Sequence, residues 1–395
     1  MILLVDYRKQ KKNIDAFSLK NKYISDMIIG VPKEIKNNEF RVGLTPSSTK
    51  SLIDENHSVL IEKNAGAGSG FEDIDYIEAG AEICETPEDI FKKSKLIIKV
   101  KEPQLIEIEK LSSDQIIFTY LHLASSRDLT NQLIKSGCSA IAYETISSEK
   151  NDLPLLTPMS EIAGRLSVQA GAKCLESHAG GIGVLLSGSS YSEPAKTLII
   201  GGGVVGYNAA IIAHGMKSDI TILEKSSTRI EFLKKEFPNS NILNIDNIEI
   251  EKILPKFDLV IGAVLIPGAQ APKIIKKDHL KLMKKRSVLV DVAIDQGGCF
   301  ETSMATTHQD PTYKVDEIIH YCVANMPGAV PRTSTISLNS VTLPYIIKLA
   351  NLGIKDFCYN SNHYLRGLNI HQGKLTYKAV ANLFDIPYTD PQKIF

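Results

Sequence analysis

The sequence has no tryptophan, no Cys-x-x-Cys pair and no excess charge of either sign: Lys plus Arg number 45 and Asp plus Glu 45. Balanced charge leaves no overall field to gather phosphate backbones or anionic lipid, so neither nucleic acid nor a membrane surface is an expected partner. Six cysteines, Cys84, Cys138, Cys174, Cys299, Cys322 and Cys358, lie far apart and read as reduced thiols rather than as a disulfide or zinc framework. His57, His178, His214, His279, His308, His320, His363 and His371 lack ligand spacing, so no metal is expected. No apolar run approaches the roughly 18 residues of a membrane helix, and Ile2–Val5 is too short for a signal core. These absences favour a cytoplasmic protein. Glycine (26) and proline (17) stay below low-complexity levels, which excludes bulk disorder.

What is present is ample material for cores. With 395 residues the chain has room for two or three domains. Residues 1–26 carry six Lys/Arg against three Asp and read as a polar N-terminal extension, expected to be disordered. From Met27 onward, short β-rich runs alternate with helical stretches, the pattern of a parallel sheet covered by helices. The first series is 27–31, 58–62, 95–100, 115–121 and 139–143; the second is 197–200, 219–223, 259–264, 287–292 and 320–324. A long helix over 159–176, rich in small residues, bridges them. Beyond Pro331 the pattern turns helical, with no further strand series. The expectation is an α/β protein of two Rossmann-like parallel-sheet domains: 27–154 plus 332–395 as the substrate and catalytic domain, 155–331 as the nucleotide-binding domain, and the active-site cleft between them.

The stretch TLIIGGGVVGYNAA places Gly201, Gly203 and Gly206 between a β run and a small-residue helix beginning Val204-Val205. The first glycine permits the tight turn, the second lets backbone approach a pyrophosphate, and the third lets helix and strand pack closely. Glu224 ends the next strand, where a carboxylate can accept from both ribose hydroxyls and repel a 2′-phosphate, so the expected cofactor is NAD. Lys225 and Arg229, just beyond, oppose that preference. A Gly-rich turn beside a solvated Glu is the plainer alternative.

Ligands of parallel sheets bind at the carboxyl ends of the strands. Those ends carry Arg41, Lys101 and His122 in the first series, and the segments 264–268, 295–298 and 325–327 in the second. A guanidinium, an ammonium and an imidazole together suit a small α-keto or α-amino acid, with Asp295 as a base. Each has a plainer reading as well. Lys101 could sit on a surface turn, His122 in the core, Asp295 at a helix cap, and Arg41 in a surface pair with Glu39 or Glu34. Cys299 reads as a spectator thiol.

The stretches GVPKEIKNNEFRVGLTP (30–46), KVKEP (99–103), FTYLHLA (118–124), AYET (142–145), PMSEIAGRLSVQAGA (158–172), GGGVVGYNAA (201–210), GAVLIPGAQAPK (262–273), VDVAIDQGGCFE (290–301) and YCVANMPGAVPRTST (321–335) resemble the alanine dehydrogenases. The resemblance implies an NAD-dependent enzyme interconverting L-alanine with pyruvate and ammonium, assembled as a homohexamer. It implies carboxylate binding by Arg41 and Lys101, acid/base chemistry by His122 and a second proton transfer by Asp295. For the cofactor it implies Ser160 at the phosphates, Glu224 at the adenosine ribose, and Val264, Leu265, Ile294, Asn325 and Met326 along the channel. Glu224 stands where many members carry Asp, and Met304 where some carry a basic residue. Rival readings are a soluble transhydrogenase subunit, an opine-type dehydrogenase and a catalytically silent NAD-binding protein.

Overall fold

The computed structural model describes residues 26–264 and 271–395. The chain separates into two compact units, Leu156–Leu338 with Asn37–Glu39 forming one and the flanking segments through Leu155 and from Asn339 the other.

The first unit begins with six parallel strands: β1 (Ile28–Val31), β2 (Ser58–Glu62), β3 (Glu82–Cys84), β4 (Leu96–Ile98), β5 (Ile116–Thr119) and β6 (Ser139–Ala142). The inner strands are apolar without alternation, and Leu96, Ile97 and Ile98 are all buried, as expected of strands covered on both faces. The second unit contributes β7 (Lys196–Ile200), β8 (Asp219–Glu224), β9 (Asn241–Asn244), β10 (Leu259–Gly262), β11 (Val288–Asp291), β12 (Thr312–Val315) and β13 (Ile318–Tyr321). The chain then returns to the first unit with β14 (Leu368–His371) and β15 (Lys374–Leu375). The sheet orders are β15-β14-β6-β5-β4-β1-β2-β3 and β12-β13-β11-β10-β7-β8-β9.

Both sheets are parallel with an antiparallel margin: β14 pairs antiparallel with β6 and β15, and β12 with β13. The α/β expectation with two parallel sheets therefore stands, with those margins added. Two points of the sequence reading are corrected. The region beyond Pro331 is not purely helical, since β14 and β15 complete the first sheet. Three further strands escaped detection: β3, β9 and β12 lie at sheet edges and read EIC, NILN and TYKV, without the continuous apolar run that marks a buried parallel strand.

In the second unit the helix Thr157–Leu175 packs on the helix Val204–Gly215 over a core that includes Val168, Ile199, Ala209, Ile222 and Val290. Small residues permit this. A Cβ on Gly164 would lie 2.2 Å from the Val205 carbonyl oxygen, and one on Gly171 2.7 Å from Leu259. Gly164→Val should therefore lower the urea midpoint by the equivalent of ~1–3 kcal/mol; an unchanged midpoint would mean that the two helices are not held this close.

Candidate functional site

Because β1, β4, β5 and β6 are adjacent and parallel, the segments that follow them emerge on one edge of the first sheet. Arg41, Lys101, His122 and Glu144 all lie on those segments. Backbone just past a strand end has lost its ladder partners, so its N–H groups need other acceptors. Here carboxylates supply them. Glu62 accepts from Lys33 N at 2.8 Å, after β1. Glu34 accepts from Val100 N at 2.6 Å and Lys101 N at 3.3 Å, after β4. Glu144 accepts from Leu121 N at 3.1 Å and His122 N at 2.7 Å, after β5. The Thr119 hydroxyl donates to the Lys101 carbonyl at 2.9 Å and ties two of these ends together.

Beneath Lys101 lies a buried ionic triad. Lys99, 0% exposed, reaches Glu34 at 2.9 Å and Glu107 at 2.7 Å. Burial pushes the Glu34 carboxyl up against the pull of Lys99. Burial also opposes the Lys99 ammonium, but the two carboxylates outweigh it and raise its pKa. The function of this triad is to hold Glu34 beneath the N–H groups of the 100–101 turn.

On this edge the structure brings Lys101 and His122 together, Nζ to Nε2 at 3.2 Å. His122 adopts a left-handed backbone, φ 46°, a conformation uncommon outside glycine that marks functional sites when the surroundings enforce it. Tyr120 stacks on its ring at 5.8 Å. The Tyr120 phenol is raised by burial against the opposing charge of Arg41, which places Arg41 within electrostatic reach of the same cluster. Glu102 joins Lys36 by an ion pair and lies 3.9 Å from the Lys101 ammonium. Burial opposes its charge, but Lys101, His122 and Lys36 outweigh it and hold the Glu102 carboxyl below its usual value.

Several plainer readings fail. Arg41 is 2% and Lys101 5% exposed, which removes the surface pair and the surface turn. The His122 side chain is 28% exposed, so it is not a core histidine. Glu102 and Glu144 were not singled out in the sequence, and Glu34 entered only as a possible surface partner of Arg41; the only signal was their position within the KEP, AYET and KEI stretches.

In the second unit Gly201 has φ 100°, and a Cβ on Gly206 would fall 1.8 Å from the Gly201 carbonyl oxygen, so both positions require glycine. Gly203 is different. A Cβ there would meet nothing within 4 Å, and Gly203 begins the helix of Val204, Val205 and Gly206 without a side-chain cap. An uncapped helix start beside open space fits a pyrophosphate. Glu224 accepts from Gly202 N at 2.7 Å, Lys225 N at 2.7 Å and Ser226 N at 2.9 Å, so it anchors the glycine loop as well as ending β8. Arg229 donates from Nε to the Gly202 carbonyl at 2.6 Å and lies 4.5 Å from the Phe232 ring centroid.

Adjacent strand ends on that sheet carry the other candidates. Asp291 closes β11 and accepts from Ala293 N at 3.1 Å, Cys299 N at 2.8 Å and the Ser303 hydroxyl. It thereby shapes the turn that presents Ile294, which is buried, and Asp295, which is exposed. Asp295 is not a helix cap, since Ala293 occupies that position. Cys299 is buried and its thiol is pushed up to about 12 by that burial, which removes it as a nucleophile. Asn325 is left-handed, φ 61°, with its amide donating to Glu39 at 2.9 Å, and Met326 is buried beside it. Ser160 lies in the first turns of the helix Thr157–Leu175, and Val264 follows β10. Leu265 lies outside the described residues. Met304 is exposed. Among the described residues no cluster of three His, Cys, Asp or Glu is set to hold a metal, and no helix is long and apolar enough to cross a membrane.

The family model described as alanine dehydrogenase/PNT, N-terminal domain, matches residues 30–163, and that described as alanine dehydrogenase/PNT, C-terminal domain, matches residues 167–378. The chain is 50% identical over 365 residues to an alanine dehydrogenase of Halomonas elongata, covering 92% of this chain and 98% of that one. It is 50% identical over 369 residues to an alanine dehydrogenase of Methanococcus maripaludis, covering 93% and 99%. A solved L-alanine dehydrogenase superposes with a TM-score of 0.87 at 48% identity over 91% of this chain and 99% of that one. A transhydrogenase from Sinorhizobium meliloti shares the fold, with a TM-score of 0.75 at 21% identity over 89% and 99%.

Removing the ammonium from the buried triad leaves two carboxylates facing each other without a counter-charge. Lys99→Met should therefore destabilise the protein by ~3–5 kcal/mol in urea unfolding. A loss below ~1 kcal/mol, the range of an exposed pair, would show that water reaches the triad.

Proposed function

The chain belongs to the alanine dehydrogenase/PNT family, and we propose that it catalyses the reversible, NAD-dependent oxidative deamination of L-alanine. L-alanine, NAD⁺ and water give pyruvate, ammonium, NADH and a proton. The observation that carries this reading is the 3.2 Å contact between Lys101 and His122, with buried Arg41 on the same sheet edge, in a chain half identical to alanine dehydrogenases. A carboxylate needs fixed cations, and an α-keto oxygen needs a group that exchanges a proton near neutral pH.

In this reading Arg41 grips the substrate carboxylate through its planar fork and Lys101 adds a point charge, so the Cα is oriented before any proton moves. NAD, when bound, supplies the acceptor for the Cα hydride. His122 exchanges a proton with the oxygen that develops on the substrate, and Asp295 serves as the second proton-transfer residue toward water. Gly201, Gly203, Val204, Val205 and Gly206 hold the pyrophosphate with Ser160, Glu224 and Arg229 hold the adenosine ribose end, and Val264, Leu265, Ile294, Asn325 and Met326 line the remainder. The glycine loop supports this, because Gly203 begins an uncapped helix although no packing contact there excludes a side chain. In this reading 27–154 with 332–395, which falls mostly in the first unit, is the substrate domain, and 155–331, which falls mostly in the second, is the cofactor domain. The same reading makes the enzyme a cytoplasmic homohexamer.

The direct assay follows NADH absorbance with pyruvate plus ammonium, using glyoxylate and α-ketoglutarate as comparators. Pyruvate should support turnover, with NADPH a poor replacement. His122→Ala should lower kcat by ~10²–10⁴-fold while leaving NADH binding intact. Wild-type turnover of His122→Ala at saturating alanine would remove the assigned role.

A further inference from the structure

We propose that Glu144 is the positioning residue of His122, holding the ring with its Nδ1–H toward the carboxylate so that Nε2 is the nitrogen that exchanges a proton with substrate. This rests on the reading of His122 as the acid/base group. Three observations carry it. First, Glu144 accepts the backbone N–H of both Leu121 and His122, so the carboxylate that faces the ring also enforces the left-handed backbone from which the ring projects. Second, Oε1 of Glu144 lies 4.0 Å from Nδ1 of His122. Third, the opposite nitrogen, Nε2, lies 3.2 Å from the Lys101 ammonium. An ammonium only donates, so Nε2 is the acceptor there and the proton of the neutral ring belongs on Nδ1.

The charged and titratable groups of this unit that face His122 are Lys101 and Glu102 from the turn after β4, Tyr120 stacked on the ring, and Glu144 from the segment after β6. Lys101 opposes a second positive charge beside it. Glu144 and Glu102 offset that opposition from two sides, which allows the ring to become imidazolium. When the keto oxygen is protonated, the Nε2–H bond breaks and an O–H bond forms. The ring then returns to the neutral form with its remaining proton on Nδ1, facing Glu144. Without the carboxylate, only the Lys101 contact favours the Nδ1–H form, so the proton distributes between Nδ1 and Nε2 and part of the exchanging lone pair is lost. An orienting group of this kind contributes roughly 10–100-fold by analogy with outer-shell partners of ligating histidines.

Glu144→Gln separates this role from a structural one. Its amide oxygen can still accept both backbone N–H groups through the Oε1 position, while the charge facing Nδ1 is gone. In the full-length protein, Glu144→Gln should lower kcat for pyruvate and ammonium by ~10–100-fold, with the KM for NADH and the melting temperature close to wild type. In ¹⁵N-histidine spectra, with the His122 signal identified by its loss in His122→Asn, the neutral ring should be Nδ1–H in wild type and shift toward Nε2–H in Glu144→Gln. Glu144→Asp, which keeps the charge, should retain the Nδ1–H form even if Glu144→Gln does not fold. Wild-type kcat in Glu144→Gln, or an Nε2–H ring in the wild-type protein or in Glu144→Asp, would overturn the proposal. If the wild-type protein fails to turn over pyruvate, the activity assignment fails, while the ring-nitrogen signals still decide the role of Glu144.

Discussion

Main-chain N–H groups released at the ends of parallel strands are captured here by carboxylates, and the placement of Lys101, His122 and the glycine loop depends on this. Glu62, Glu34 and Glu144 do so after β1, β4 and β5, and Glu224 and Asp291 do so beside β7 and β11. A carboxylate suits the task because its two oxygens can accept about four hydrogen bonds, and charge makes each stronger than a neutral contact. Irregular backbone that would otherwise be loose becomes as determined as the sheet itself. The side chains between the anchored N–H groups, among them Lys101 and His122, inherit that precision.

The arrangement has an electrostatic cost, and the first unit shows how it is met. Burying Glu34 disfavours its charge, and the Lys99 ammonium at 2.9 Å offsets part of that penalty. Such a triad need not stabilise the fold relative to apolar residues of equal volume. Its service is to keep an acceptor in place beneath the 100–101 turn. The second unit manages the same cost differently, since Asp291 and Glu224 are compensated by several backbone donors rather than by a buried cation.

Much of this was legible in the residues. The glycine fingerprint sits between β7 and its helix as its spacing implied, because steric exclusion at Gly201 and Gly206 leaves a sequence signature. The apolar runs located ten strands, since buried parallel strands are continuous in hydrophobicity. Arg41, Lys101 and His122 were found from the rule that strand ends carry function. The anchors beneath them were not. Glu34 and Glu144 act on backbone atoms, which have no sequence identity to pair with, and Lys99 reads as the edge of an apolar run rather than as a charge enclosed between Glu34 and Glu107. The left-handed turns at His122 and Asn325 were equally silent, because their partners, Glu144 and Glu39, are distant in sequence.

Residue-resolved amide hydrogen exchange tests the central claim most directly. The N–H groups of Val100, Leu121, His122, Gly202 and Cys299 lie outside the regular strands, yet they should exchange as slowly as neighbouring strand amides, because opening them requires releasing a charge-assisted bond. Exchange at the rate of exposed loop amides would contradict the claim that carboxylates hold these strand ends in place.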